Sequence, residues 1–227
     1  MNDRDRLRNE YARRAADPRY REWYAHANPA HRFIERDRDA VLRALLRVHP
    51  PQWTDGRILD IGCGSGYELA KWRAQFDEAR LCGIDLLPER VARGREQYPT
   101  LPLLSGDASQ LPLASGAFDL VMQFTVFTSI LDDALRRVLA SEMLRVLKPR
   151  GAIVWYDYIW NPTNPQTRGI GLREIRALFP QCELRAVRVT LAPPLARLFA
   201  PRALWFCKVL NEFPFLRSHY AVLVTRR

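Results

Sequence analysis

The chain has 227 residues, 48% of them hydrophobic and 26% charged, with 35 Lys and Arg against 25 Asp and Glu and a formal net charge of +10. That length suits one domain of roughly 200 residues with appendages, and the apolar content is too high for a disordered chain. The basic excess raises a nucleic acid or an anionic membrane as partner, yet it lies at the two ends: residues 1–50 carry +4, residues 51–149 carry −2 and residues 150–227 carry +8.

Residues 1–50 read as helices. Tyr20, Trp23 and Tyr24 recur at spacings of three and four, as do Val41, Leu42, Leu45 and Leu46, with Pro18, Pro29, Pro50 and Pro51 as punctuation. From residue 57 short apolar runs alternate with helical stretches. Strands are predicted over 57–61, 81–84, 101–105, 118–124 and 151–156, and such alternation indicates βαβ units and a parallel sheet. After residue 180 two further strands, 183–191 and 219–225, bracket an apolar, proline-flanked insert at 193–214 that reads as a helix. The expected organisation is a single domain: a helical cap (1–50), a cofactor-binding core (51–180) and C-terminal strands carrying the insert (181–227).

Cys63, Cys82, Cys182 and Cys207 are widely spaced and form no C-x-x-C pair, which argues against a zinc or redox motif and for reduced, buried thiols. Met1 to Arg6 holds no apolar leader, and no run of about 18 apolar residues occurs, so a cytoplasmic location is expected.

The most specific stretch is Ile58-Leu59-Asp60-Ile61-Gly62-Cys63-Gly64-Ser65-Gly66. An apolar strand running into a glycine-rich turn that opens a helix lets the backbone approach a ligand at the strand's carboxyl end. The glycine spacing is not that of a dinucleotide fingerprint, and the Gly-Lys-Ser/Thr ending of a P-loop is missing. Asp60, directly before the turn, suits an ammonium group and opposes a pyrophosphate. Asp85, ending the next apolar run, can take both ribose hydroxyls. Asp107, in Ser105-Gly106-Asp107-Ala108, can meet an adenine amino group. Together these features describe an adenosine that bears an amino acid.

With Leu111-Pro112-Leu113, Phe118-Asp119-Leu120-Val121 and Glu142 to Gly151 added, residues 55–157 resemble the class I S-adenosylmethionine-dependent methyltransferases, in particular the small-molecule group called type 11. The resemblance implies a Rossmann-like, seven-stranded, mostly parallel α/β sheet with an antiparallel last strand near 219–225. It implies S-adenosyl-L-methionine as cofactor and no metal. Gly62, Gly64 and Gly66 would form the turn under the methionine portion, with Asp60 at its amino group and Asp85 on the ribose. Leu86 would flank the adenine face, Asp107 and Ala108 its edge, and Gln123 the methionine end.

Transfer of a methyl group to oxygen asks the protein to position the acceptor and remove a proton. Relatives place a histidine soon after strand four, but here the segment reads Phe124-Thr125-Val126-Phe127-Thr128-Ser129. Asp157, His26 and His31 remain as candidates, and Asp157 has a second role open to it as anchor of the following loop. That loop, 157–170, combines aromatics, amides and Arg168, which suits a sugar or polyhydroxylated acceptor. It resembles a stretch of type 11 enzymes from surface-glycan and natural-product gene clusters. The expectation is a small-molecule O-methyltransferase, with N-methylation as the alternative. A nucleic-acid methyltransferase is disfavoured, because the Asn/Asp-Pro-Pro-aromatic signature is missing and no RNA-binding domain fits. The insert at 193–214 could cover the acceptor pocket, form a homodimer face, or rest on an anionic membrane.

Overall fold

The computed structural model describes residues 3–48, 56–73, 80–161 and 164–227. Three helices precede the first strand: α1 (Asp3–Ala16), α2 (Pro18–Trp23) and α3 (Pro29–Val48). Asp17 caps α2 by accepting the Arg19 backbone N–H, with Pro18 in the first turn where no amide hydrogen is needed. The alternating part follows as β1 (Arg57–Ile61), α4 (Tyr67–Arg73), β2 (Arg80–Asp85), α5 (Pro88–Gln97), β3 (Leu103–Ser105), β4 (Phe118–Phe124), α6 (Asp133–Val146) and β5 (Leu147–Tyr158). Then come α7 (Leu172–Leu178), β6 (Cys182–Leu191), α8 (Pro193–Phe199), α9 (Leu204–Asn211) and β7 (Arg217–Arg226).

The seven strands form one sheet in the order β3-β2-β1-β4-β5-β7-β6. The first five run parallel, and β7 lies antiparallel between β5 and β6. This is the Rossmann-like α/β architecture expected from the sequence. Chain order reverses between β1 and β4, so the crevice outside their carboxyl ends is the topological switch point at which such sheets bind ligands. Phe118 to Gln123 of β4 are all buried, as a central strand covered on both faces requires. One face packs Leu139, Met143 and Phe179 against Val121, Ile153 and Trp155; the other packs Leu42, Trp72 and Val91 against Ile58, Val154 and Leu223.

Three predicted elements differ in detail. β5 begins at Leu147 rather than at Gly151, because α6 runs directly into it. β3 is confined to Leu103–Ser105, with Leu101 and Pro102 leading in. The insert is two short helices, not one: Pro201, Arg202 and Ala203 separate α8 from α9, and the turn lets Ala196, Ala200 and Cys207 bury together against Ala30 and Leu191. Helix α4 ends at Arg73, and residues 74–76 of the predicted helix lie outside the described residues. α3 is also more than a cap, since Leu42 and Leu46 are part of the core against the sheet.

Candidate active site

The turn after β1 needs backbone that only glycine adopts readily. Gly62 and Gly64 have φ of +70° and +57°, and a Cβ at Gly64 would lie 2.4 Å from Arg90 Nη2. Asp85, at the carboxyl end of β2, is held by this turn: its Oδ2 accepts the Gly64 N–H at 2.7 Å and its Oδ1 the Leu87 N–H at 2.9 Å. Each carboxylate oxygen keeps lone-pair capacity for a further donor.

A cavity of about 620 Å³ opens over these residues. Ile61, Gly62, Ser65, Asp85, Leu86, Asp107, Ala108 and Thr125 form one side of it, and Arg4, Leu7 and Tyr11 of α1 the other. The switch-point crevice and the predicted ribose and adenine residues therefore coincide. A second cavity, of about 870 Å³, shares Tyr11, Arg14, Tyr20, Tyr24, Thr125 and Ser129 with the first. Its outer wall is built from α2, the loop after β5 and the start of α8.

Asp60 is 2% exposed and has no hydrogen-bond partner among the described residues. Burial, with Glu68 and Asp85 nearby, pushes its carboxyl well above the ordinary range. It sits directly behind Ile61 and Gly62, which do line the first cavity. An unpartnered buried carboxylate beside a glycine turn fits a cationic ammonium, and the Asp85 carboxylate fits vicinal hydroxyls. The residues present thus suit S-adenosylmethionine. Gly66 (φ +80°) turns the chain into α4 but packs toward Leu103 rather than into the cavity.

Four expectations are altered by side-chain direction. Asp107 faces the cavity, but its Oδ2 is 2.6 Å from Arg4 Nε and its Oδ1 caps Ser109, so α1 already engages it. Gln123 lies within β4, fully buried, and lines neither cavity. Its amide accepts the Val126 N–H at 3.0 Å and so shapes the next turn, which leaves Phe124, Thr125 and Val126 as the wall residues. Asp157 is likewise fully buried and outside both cavities: it accepts bonds from the Thr128 hydroxyl at 2.5 Å and from the backbone N–H groups of Thr128 (3.2 Å) and Tyr158 (3.0 Å). Burial raises its carboxyl to about 6, yet the geometry is that of the loop anchor rather than of a base reaching an acceptor. His31 also lines neither cavity; its Nε2 is 3.6 Å from Glu35, and desolvation lowers its pKa.

His26, His31 and Glu35 bring ligand-type atoms within 4.8 Å of one another. Glu35 also faces Lys71 at 3.5 Å and Arg38 at 3.9 Å, cations that oppose a metal ion there.

Sequence reading missed several contributors. Arg4 and Tyr11 come from a helix whose buried residue is Glu10, and no apolar stripe marks them. Arg90 reaches back from α5 to lie 3.8 Å from Asp85 and over the Tyr11 ring. Under the glycine turn, Arg38 and Lys71 are enclosed by Glu68, Asp39 and Glu35, with Arg38 bonded to both Glu68 oxygens at 2.7 and 2.8 Å. Thr125 carried a signal only a structure reveals, a positive φ of 58° for a β-branched residue at the wall shared by the two cavities.

The sheet order, the switch-point crevice and Asp85 in its wall are those of a class I S-adenosylmethionine-dependent methyltransferase. Residues 58–151 match the family described as Methyltransferase domain, which supports an S-adenosylmethionine-dependent methyltransferase. It is 29% identical over 168 residues to the demethylmenaquinone methyltransferase of Chlorobaculum parvum, covering 72% of this chain and 67% of that one. It is 32% identical over 124 residues to the malonyl-[acyl-carrier protein] O-methyltransferase of Pectobacterium atrosepticum, covering 55% and 46%. The chain thus spans between about half and two thirds of these relatives. Among solved structures, a Pyrococcus horikoshii protein superimposes with a TM-score of 0.65 at 16% identity, over 96% of this chain and 99% of that one. The geranyl diphosphate C-methyltransferase of Streptomyces coelicolor, solved with S-adenosyl-L-homocysteine, gives 0.61 at 20% identity over 82% and 79%. These likenesses are of fold.

Proposed function

We propose that this chain methylates an oxygen of a small molecule held in the second cavity. The observation that carries the reading is the wall common to both cavities, Thr125 and Ser129 beyond the carboxyl end of β4 with Tyr11, Arg14, Tyr20 and Tyr24 from the N-terminal segment, so that a molecule in the second cavity would adjoin one in the first. S-adenosylmethionine, when bound, would supply an electrophilic methyl on a sulfonium, and its transfer to an acceptor hydroxyl would leave a neutral thioether and a proton for solvent or buffer. Asp60 would hold the ammonium, Asp85 the ribose hydroxyls, and Leu86 and Ala108 the adenine. The protein's main contribution is orientation, with Thr125 and Tyr11 separating donor and acceptor sides. An amine acceptor would be expected to find carboxylates. Glu10, the one carboxylate among the described residues lining the second cavity, is already bonded to Arg13 and Arg14, which favours oxygen over nitrogen. Aromatic faces and the amides of Asn161, Asn164 and Gln166 suit the sugar or polyhydroxylated class, from a surface glycan or natural product.

The same reading extends to where the acceptor is met. Leu198, Leu204, Trp205, Val209, Phe213 and Phe215 are exposed on and after α8 and α9, Trp205 at 68% and Phe215 at 73%, with Arg202 and Lys208 exposed among them. This apolar, basic surface suits peripheral contact with an anionic membrane. No helix among the described residues is long and apolar enough to cross one.

Calorimetry with S-adenosylhomocysteine tests the cofactor half. The wild type should bind, and Asp85→Ala should weaken binding by about tenfold or more as a charge-assisted bond is lost. Equal affinity in the variant would overturn the assignment. Methyl gain by mass spectrometry across hydroxylated and amine acceptors tests the other half.

A further inference from the structure

The second cavity holds more positive charge than its own carboxylates answer. Arg6, Arg13, Arg14, Arg19 and Arg197 all line it. Arg6 is paired with Asp3 at 2.6 Å and Arg19 with Asp17 at 2.8 Å, while Arg13 and Arg14 share the single carboxylate of Glu10. Three carboxylates therefore face five guanidiniums, and Arg197 has no carboxylate or hydrogen-bond partner among the described residues.

The position of Arg197 is nevertheless fixed. Its guanidinium lies over the Trp23 ring, 4.0 Å from the centroid. A cation–π contact of this kind uses none of the N–H groups as hydrogen-bond donors to a carboxylate, and those groups form the fork that matches a carboxylate or phosphate. Two phenols line the same cavity, Tyr24 directly after α2 and Tyr158 from the end of β5, and neither hydroxyl has a hydrogen-bond partner among the described residues. The Tyr158 ring is braced from behind by His219, at 3.8 Å between centroids. Desolvation holds the Tyr158 phenol protonated far above its ordinary range, so it is a donor at neutral pH, and the Arg197 charge reaches both phenols. Three donors with no acceptor of their own thus converge from three separate elements. Neutral acceptors would leave the guanidinium half-buried and unanswered.

Resting on the reading that the second cavity holds the acceptor, we propose that Arg197, Tyr24 and Tyr158 form an anion subsite, so that the methyl acceptor carries a carboxylate or phosphate group. The charge of the insert then has a specific use: α8 delivers the arginine that selects the substrate, and α2 supplies the ring that holds it.

The test uses the full chain saturated with S-adenosylhomocysteine and three probes of similar size, benzoate, phenyl phosphate and benzyl alcohol, followed by calorimetry or saturation-transfer NMR. At least one anionic probe should bind about tenfold or more tightly than benzyl alcohol, and Arg197→Gln should remove that preference while Arg197→Lys keeps part of it. Tighter benzoate names the carboxylate class, and tighter phenyl phosphate the phosphate class. Arg173→Gln, on exposed α7, should leave probe binding unchanged. S-adenosylhomocysteine affinity is measured in every variant and should not move, which separates loss of the subsite from loss of the fold. An anion preference that survives Arg197→Gln, or no preference in the wild type, overturns the subsite while leaving methyl transfer intact. Failure of S-adenosylhomocysteine to bind at all overturns the underlying reading instead.

Discussion

His219 shows how far a single residue's behaviour depends on its surroundings. It is 2% exposed, stacked against Tyr156 with an interplanar angle of 6°, and its Nδ1 is 2.9 Å from Ser218 Oγ. Burial, followed by repulsion from Arg38, pulls its pKa down to about 3. The folded state therefore keeps the ring neutral, whereas the unfolded chain takes up a proton below about pH 6.5. Stability is full above that value and falls as pH drops toward 3. Between pH 7 and pH 5 this one group should cost the wild type about 2 kcal/mol that a His219→Phe variant does not lose. Urea unfolding of both proteins at the two pH values checks it, and parallel losses would exclude the effect. Residue roles were legible where the backbone sets them. Gly62 and Gly64 are required by positive φ, and Asp85 by its place at a strand end. Asp157 and Gln123 have equally suggestive positions, but their side chains turn inward to loop amides and a hydroxyl, a choice made by packing rather than by position in the chain.

Among the elements, α1 meets the core through part-buried Leu7 and lines both cavities. It is joined to the rest by polar contacts: Arg4 with Asp107 and Ser109, Arg6 with Gln166 and the Ser129 carbonyl, and Asp3 with the Leu131 N–H. Part-exposed contacts of this kind contribute little each, roughly 1 kcal/mol or less, and weaken with salt. Removing residues 1–16 should therefore leave the melting temperature within a few degrees while opening one side of the cofactor cavity. S-adenosylhomocysteine should leave the truncated protein about tenfold faster or more, a change of about 1.4 kcal/mol, measured by stopped-flow displacement. Unchanged dissociation would show that α1 is not a cover. The strands were legible because apolar runs alternate with helical stretches. α1 and the break between α8 and α9 were not, since an arginine-rich helix has no periodic stripe and a short turn inside an apolar run leaves the spacing nearly intact.

At the scale of the whole molecule the charge of +10 divides by function. Residues 51–149, which carry the glycine turn and Asp85, are −2, and the excess belongs to the segments that line the second cavity and form the exposed face of α8 and α9. That face should bind vesicles of phosphatidylcholine with phosphatidylglycerol and not phosphatidylcholine alone. Replacing Trp205 and Phe215 together by serine should weaken binding by about tenfold or more, given roughly 1.5–3 kcal/mol for burying one large apolar side chain. Co-sedimentation measures it; a dimer in light scattering that the same substitutions dissociate, with no vesicle binding, would assign the face to a second copy of the chain instead. The sequence by itself determined the α/β class and the succession of strands and helices along the chain, and it pointed to the carboxylates and glycines around the turn after β1, because those constraints act between residues close in sequence and on backbone conformation. Only the tertiary structure decided the second cavity and the wall it shares with the first. Arg197 over Trp23, Arg4 on Asp107 and the shared wall at Thr125 each join residues far apart in the chain, and their meeting depends on how helices pack over the sheet, which no local pattern encodes.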